Sequence, residues 1–477
     1  MERAGRVDRA LDGASGGVPA AVAGVARAAP RGTRGARGCG VEGTGGDAGC
    51  HRPAIRGPSR GPQGPELTMR SNLIAGLDIG TANTCVVIGE ISQDPRRPGL
   101  TILGVGQART GGLRGDLVTN IDGITESVRA SMKEAELMAG VTVDRVYAGI
   151  GGDHIRASSS MGVVAISEDE VAQDDIDRVH IVARAVALPP DREMVHAIPQ
   201  EYRVDHQRGI KDPLGMAGVR LEAEVFLVTC QITASANICK AVNRAGYRVE
   251  QLVLEPLAGA RAVLTEDEKE VGVAMIEIGA ATTDVAAYYE GKVQHVSILP
   301  FGGATLTADL VRGLSVPFAE AHKTKEHFGV ALAQLVDPRE TVPLPGPVPG
   351  QTRRVARELI AHVIEQRLDE IFGIVQGELQ GQGLLDHLGA GIVLTGGTAA
   401  TPGIVDLAHQ VFNLPVRLGV PSEGLGGLAD SVQRPRFAVA SGLALWGADR
   451  FSETGRGSST VTSGVFTKLG TWLKEFF

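Results

Sequence analysis

Leu73–Glu90, LIAGLDIGTANTCVVIGE, is the stretch on which the reading of the fold turns. Leu73 to Leu77 is a short apolar run that predicts a buried strand. Asp78-Ile79-Gly80-Thr81 interrupts it, and Cys85 to Ile88 predicts the returning strand. A glycine flanked by an acid and a hydroxyl at a hairpin tip suits phosphate chemistry. Gly80 lets the backbone approach an anion, neighbouring N–H groups can form a nest, and Asp78 can hold Mg²⁺ through water. Taken alone, the same residues read equally well as an Asp-Gly turn closing an ordinary hairpin.

The pattern recurs. Val271–Tyr289, VGVAMIEIGAATTDVAAYY, again has an apolar strand, then acid-Ile-Gly, hydroxyls and a second strand. Asp78, Ile79 and Gly80 align with Glu277, Ile278 and Gly279. Two such hairpins predict duplicated domains whose tips face one phosphate chain from both sides. Two unrelated strand–turn–strand units are the alternative. A third glycine-bearing turn follows in Gly391–Gly397, GIVLTGG, where an apolar strand runs into Thr395-Gly396-Gly397 and a helix over 403–412. Residues without bulky side chains at that turn let a flat ring such as adenine lie against the backbone. A strand-to-helix turn with no ligand is equally compatible.

Between these points the chain alternates strands and amphipathic helices, an α/β pattern. Strand 101–108 and helix 121–139 follow the first hairpin, and strand 146–150 runs into Gly151-Gly152. Residues 158–229 differ: short alternating strands surround a helix over 168–187, predicting a small inserted α+β subdomain. A helix over 234–245 and a strand over 248–254 return to the α/β regime. Helices are expected over 311–336 and 352–380, separated by a Pro-Gly loop at 343–349. A last packed helix is expected over 435–446.

The 477 residues suffice for two or three globular units. A net charge of −8, 43% hydrophobic residues and no broad basic stripe argue against a dedicated nucleic-acid binder. No apolar run reaches the roughly 18 residues of a membrane span. The five cysteines show no metal-ligand spacing, which points to a reducing compartment. Residues 1–68, rich in Gly, Ala, Arg and Pro without an aromatic residue, cannot offset their chain entropy and are expected to be disordered. Met69 is read as the true start, after an over-extended reading frame.

At the other end, 450–463 is Ser/Thr/Gly-rich and reads as a flexible linker. In the closing GVFTKLGTWLKEFF, the apolar Val465, Phe466, Leu469, Trp472, Leu473 and Phe476 recur at helical spacing and Phe477 ends the chain. Lys468 and Lys474 lie off that stripe. Such a helix, 464–477, reads as an interfacial membrane anchor. Docking on the protein's own core is the alternative, weakened by the polar tether. One copy would bind lipid reversibly, and a polymer carrying many would bind by avidity.

DIGTAN, EIGAATTDV and VLTGGTAATPG resemble the phosphate-one, phosphate-two and adenosine motifs of the actin/Hsp70/sugar-kinase superfamily. HAIPQEYRVD (196–205), GIKDPLGMAGVRLEAEV (209–225) and LTEDEKEVGVAMIEIG narrow the likeness to the FtsA family of bacterial cell-division proteins. The resemblance spans 73 to about 450 and the final helix. It implies a two-lobed actin-like α/β fold of duplicated ribonuclease-H-like domains. A small α+β subdomain, 150–229, would be inserted and used for head-to-tail polymerisation. The first lobe would begin at 69–149, and 230–299 would complete it and open the second lobe. The second lobe's small subdomain, 300–385, would contact FtsZ, with Arg367 as the candidate residue, and 386–449 would complete that lobe.

By the same resemblance ATP with Mg²⁺ occupies the cleft. Asp78, Gly80, Thr81 and Asn83 would hold the phosphate side of the first lobe, with Asp78 on Mg²⁺ through water. Glu277, Gly279, Thr282 and Thr283 would face them, with Glu277 a second metal-side carboxylate. Gly396, Gly397 and Thr398 would pack on adenosine, and Glu255 would orient the attacking water. Three departures argue for slow turnover: Asn83 where many relatives have lysine, Glu277 for aspartate, and Ala280-Ala281 for a glycine pair whose positive φ alanine resists. ATP then acts mainly as a structural ligand, and the chain is at most a weak ATPase. The implied role is to anchor FtsZ filaments on the cytoplasmic face of the inner membrane at the septum and to recruit later divisome proteins. A sugar or carboxylate kinase would need a positioned base for a second substrate, and none is evident. A pilus-assembly scaffold of similar fold would lack the amphipathic tail.

Overall fold

The computed structural model describes residues 72–92, 99–115, 117–346 and 350–456, the last four by backbone only. The extension 1–68 and the closing helix 464–477 lie outside the described residues.

Strands β1 (Leu73–Ile79), β2 (Asn83–Ile91) and β3 (Leu100–Arg109) form an antiparallel meander. The small hairpin of β4 (Leu113–Arg114) and β5 (Leu117–Val118) follows. Helix α1 (Ile121–Ala139) starts at Asn120, whose side chain accepts from the Asp122 and Gly123 N–H groups, and stops at Gly140 in the left-handed region, φ 68°. Its Ile124, Val128, Met132 and Ala135 are buried at helical spacing, each large one contributing about 1.5–3 kcal/mol of apolar burial. Strand β6 (Arg145–Ile150) then pairs parallel to β1.

There the chain leaves the sheet. Strand β7 (Arg156–Ala165), helix α2 (Gln173–Arg184), β8 (Arg192–Val204), β9 (Gln207–Ile210) and β10 (Arg220–Gln231) build a separate four-stranded sheet in the order β7-β10-β8-β9. Its own core includes Val179, Ala183, Leu221, Val225 and Leu227. Helix α3 (Ile232–Ala245) returns the chain to β11 (Arg248–Leu254), parallel to β6, and then to α4 (Glu255–Val263) and α5 (Glu266–Val271).

The second lobe repeats the first. Strands β12 (Val273–Ile278), β13 (Thr283–Tyr289) and β14 (Lys292–Leu299) form the meander. Helices α6 (Gly303–Leu314) and α7 (Phe318–Phe328), the two-stranded sheet of β15 (Thr341–Pro345) and β16 (Thr352–Ala356), and α8 (Arg357–Gly381) come next. Strand β17 (Gly391–Thr395), α9 (Ile404–Phe412) and β18 (Val416–Leu418) complete the sheet. Strand β19 (Leu425–Gly427) pairs back onto β3, and α10 (Ala438–Arg456) closes the described chain. The orders β3-β2-β1-β6-β11 and β14-β13-β12-β17-β18 correspond strand for strand, so the duplication predicted from the two hairpins is present. Asp78 lies opposite Cys85 in one hairpin, and Glu277 opposite Asp284 in the other.

Helices α4 and α10 cross between the lobes at van der Waals distance. A Cβ at Gly442 would stand 1.7 Å from the Ala258 carbonyl oxygen, and one at Gly76 would stand 2.2 Å from that of Ala440. Only glycine permits both approaches.

Several boundaries differ from the sequence expectation. The helix expected over 168–187 is confined to α2. That over 311–336 is broken by Ser315, at φ 49°, and by Pro317, giving α6 and α7. The start of the Pro-Gly loop, 343–345, and the first turn of the next helix lie instead in β15 and β16. Val342 and Leu344 are buried while Pro343 and Pro345 face outward, a pattern that a two-stranded sheet tolerates because both strands are edges. The linker expected from 450 begins as helix: α10 runs to Arg456, with the Arg450 guanidinium 5.6 Å from the Trp446 ring and Phe451 against the core. Among the described residues no helix is long and apolar enough to cross a membrane.

Candidate functional site

A cleft of about 990 Å³ is lined by both hairpin tips. Asp78, Gly80, Thr81 and Asn83 line it from the β1–β2 turn. Glu277, Gly279, Ala280, Thr282 and Asp284 line it from β12–β13, and Gly397 and Thr398 from the turn after β17. Glu255, the first residue of α4, completes that set.

The second tip is heavily braced. The Gly279 carbonyl accepts from the Gly303 N–H at 3.0 Å and from the Thr398 hydroxyl at 3.0 Å, and the Ala280 carbonyl accepts from the Ala304 N–H at 2.7 Å. With its carbonyls engaged by α6 and by the 396–398 turn, the loop keeps its carbonyl oxygens tied back, an arrangement suited to an anion. The first tip is held by the Thr81 hydroxyl on the Gly115 carbonyl at 3.2 Å and the Thr110 N–H on that of Ala82 at 3.1 Å. Neither Gly80, Gly279, Ala280 nor Ala281 adopts a positive φ. The alanine pair therefore carries no backbone strain, and that part of the argument for slow turnover falls away. Both glycines sit at tight approaches: a Cβ at Gly80 would be 3.1 Å from the Asn83 carbonyl oxygen, and one at Gly279 3.3 Å from that of Thr282.

The carboxylates dominate the electrostatics. Burial pushes Asp78 up to about 7. Burial, then Asp284 and Asp78, hold Glu277 well above the usual carboxylate range. Glu277 Oε2 is sealed from solvent and has no hydrogen-bond partner. A buried, unpartnered carboxylate oxygen beside two more acids is a fit for a divalent cation. Among the described residues no three His, Cys, Asp or Glu side chains close on one point. Burial and then Asp78 push the Cys85 thiol up, leaving it protonated at neutral pH.

Two predicted residues sit elsewhere. Thr283 is fully buried and donates its hydroxyl to the Phe301 carbonyl at 2.8 Å, so it braces the strand end and does not face the cleft. Gly396, at φ 85°, lies under the loop: its Cβ would be 2.6 Å from the Ile278 carbonyl oxygen, leaving Gly397 and Thr398 as the lining residues. Arg367 lies on α8 outside the cleft, bonded to Asp309 of α6 at 2.6 Å and paired with Glu370.

Among the lining groups that sequence reasoning missed, four bear on the chemistry. Lys325 of α7 donates to the Gly303 carbonyl at 2.8 Å, and burial holds its pKa below the usual lysine value. It brings to the cleft, with Arg436, positive charge that Asn83 does not. No local motif announces either residue. Asp284 was legible as the mirror of Cys85 in the duplicated register. His154, 7% exposed with Nδ1 unpartnered, enters from the loop between β6 and the inserted subdomain.

Known proteins share this architecture. Residues 152–229 match the family described as the SHS2 domain inserted in FTSA, and 274–442 match Cell division protein FtsA. Cell division protein FtsA of Neisseria meningitidis serogroup B is 43% identical over 378 residues, covering 79% of this chain and 90% of that protein. That of Escherichia coli K12 is 37% identical over 410 residues, covering 84% and 96%. Among solved structures, the PilM-PilN type IV pilus biogenesis complex is similar at TM-score 0.56 and 17% identity, covering 79% of this chain and 98% of that one, a likeness that bears on the fold alone. The fold is actin-like, with the inserted subdomain between β6 and α3. The chain belongs to the FtsA family of cell-division proteins.

Proposed function

We propose that this chain is an ATP-binding, actin-like division protein that polymerises through its inserted subdomain and anchors FtsZ filaments to the membrane. The observation that carries the reading is the convergence of two duplicated hairpin tips on one cleft in a member of this family. Gly80, Thr81, Gly279 and Thr282 hold the phosphates by backbone and hydroxyl donors, with Lys325 and Arg436 supplying positive charge. Asp78 and Glu277 hold Mg²⁺ through water, and the ion neutralises phosphate charge when bound. Gly397 and Thr398 pack on adenosine, and Glu255 orients water for slow hydrolysis. Arg367 of α8 contacts FtsZ. The closing helix 464–477 binds lipid on the cytoplasmic face of the inner membrane, and the polymer recruits later divisome proteins at the septum.

The test is co-sedimentation of FtsZ with liposomes. The full chain with Mg-ATP brings FtsZ down with the vesicles, and deletion of 464–477 leaves both in the supernatant. Equal pelleting after that deletion contradicts the anchoring, and failure of the full chain to carry FtsZ contradicts the partner.

A further inference from the structure

Strand β8 runs through the centre of the inserted sheet, yet its side chains repeatedly reach the body of the protein. Two register shifts against β10, near Val228–Thr229 and Glu224–Val225, turn them there. At its start the Arg192 guanidinium donates to the His154 carbonyl at 2.7 Å and the Thr229 carbonyl at 2.9 Å, joining the two points where the chain enters and leaves the insert. At its end Gln200 accepts from the Val293 N–H of β14 at 2.9 Å, and Glu201 accepts from Lys292 at 2.6 Å. The insert is thus covalently part of the first lobe and bonded to the second.

His196 lies between these ends. It is 3% exposed, its ring is 5.3 Å from that of Trp446 in α10, and its Nε2 accepts the Leu254 N–H at 2.9 Å. An accepting Nε2 places the proton of the neutral imidazole on Nδ1. Leu254 ends the edge strand β11, where a buried N–H needs an acceptor from outside the sheet, and it is the residue from which α4 starts. The next residue is Glu255. Its carboxylate lies over the strand that feeds the insert: a Cβ at Gly149 or Gly151 would stand 2.9 or 2.3 Å from its oxygens. The cleft carboxylate lies against the chain leading into the insert, and the residue before it, Leu254, is bonded by a histidine of the insert.

We infer that His196 is a positioning residue coupling the seat of the inserted subdomain to Glu255, so that nucleotide in the cleft and the orientation of the insert bias one another. This rests on the nucleotide-binding reading above. Coupling of this kind is reciprocal: what shifts the insert shifts nucleotide affinity by the same factor.

Amide exchange of β7 and α2 in the full chain, with and without Mg-ATP, tests it. The wild type shows exchange altered by about fivefold or more on adding Mg-ATP. His196→Leu still binds nucleotide, but the response falls below about twofold, and kcat drops without a matching change in KM. His196→Gln, which can present an acceptor at the Nε2 position, restores the response. Should His196→Leu not fold, Lys292→Met loosens the far end of β8 and loses the same response while nucleotide affinity stays within about twofold. A wild-type response in His196→Leu, or in Lys292→Met where the leucine variant does not fold, overturns the inference, as does a nucleotide-bound wild type with no response. A wild type that binds no adenine nucleotide overturns the underlying reading, and the coupling with it.

Discussion

The two hairpins are one motif built twice, and they differ in what surrounds their tips. The second is laced through Gly279 and Ala280 to α6 and to the turn after β17, and it carries the acid pair Glu277 and Asp284 in register. The first is tied through the Thr81 hydroxyl and the Ala82 carbonyl to the segment 110–115, and its acid Asp78 faces a cysteine. Two differently braced phosphate cradles thus oppose one another across a single cleft. The lesson is that duplication supplies the frame and local bracing assigns the two halves different work.

The largest effect is expected where the lobes join. Gly442→Val drives a side chain into the Ala258 carbonyl, so stability falls by about 3 kcal/mol or more in urea denaturation. Gly373→Ala, in an open stretch of α8, gains up to about 1 kcal/mol in the same assay. Next comes the turn after β17, on which the second tip rests, set against the first tip itself. Gly396→Ala forces a side chain at φ 85° against the Ile278 carbonyl and costs about 1–3 kcal/mol. Gly80→Ala meets only a 3.1 Å approach and costs less. Equal losses would erase the proposed asymmetry.

Protonation sharpens the comparison. Asp78 titrates near 7 in the folded protein against 3.8 as its ordinary value, so the nucleotide-free fold binds the proton more tightly than the unfolded chain. Its ionised form is a destabilising charge. Asp78→Asn therefore melts higher than the wild type above pH 7, and the difference shrinks as pH falls toward 4. The comparison must be made between variant and wild type, because the buried His180 and His196, held down near 4 and 3, pull the total the other way: their stability is lost as pH falls below about 6.5. The smallest effect is at the hydroxyls. Thr398→Val removes the brace on Gly279 and costs about 1 kcal/mol, while Thr81→Val, at a more exposed bond, costs about half that or less.

Much of this was legible in the chain. Apolar runs ending in acid-Ile-Gly announced β1–β2 and β12–β13, and their repetition announced the two lobes. The family motifs located the insert. What escaped has a common cause, in that it depends on residues distant in sequence. Lys325 and Arg436 reach the cleft from separate elements without a local signature. Thr283 sits in the motif but points to Phe301, because strand alternation turns it away from Thr282. The proline-bearing 343–345 looked like a loop because edge pairing with β16, which excuses missing N–H groups, is invisible locally. Helix α10 outlasts its apolar stripe because Arg450 covers the Trp446 ring one turn back and Phe451 packs on the body of the protein.

Calorimetric titration of the purified chain with Mg-ATP puts the central claim to the most direct trial. The account predicts one adenine nucleotide per chain, with affinity lowered about a hundredfold or more by Gly80→Val and by Gly279→Val alike, since each closes a backbone approach to the same phosphates. A chain that takes up no nucleotide, or one in which blocking one of the two tips leaves binding intact, would contradict it.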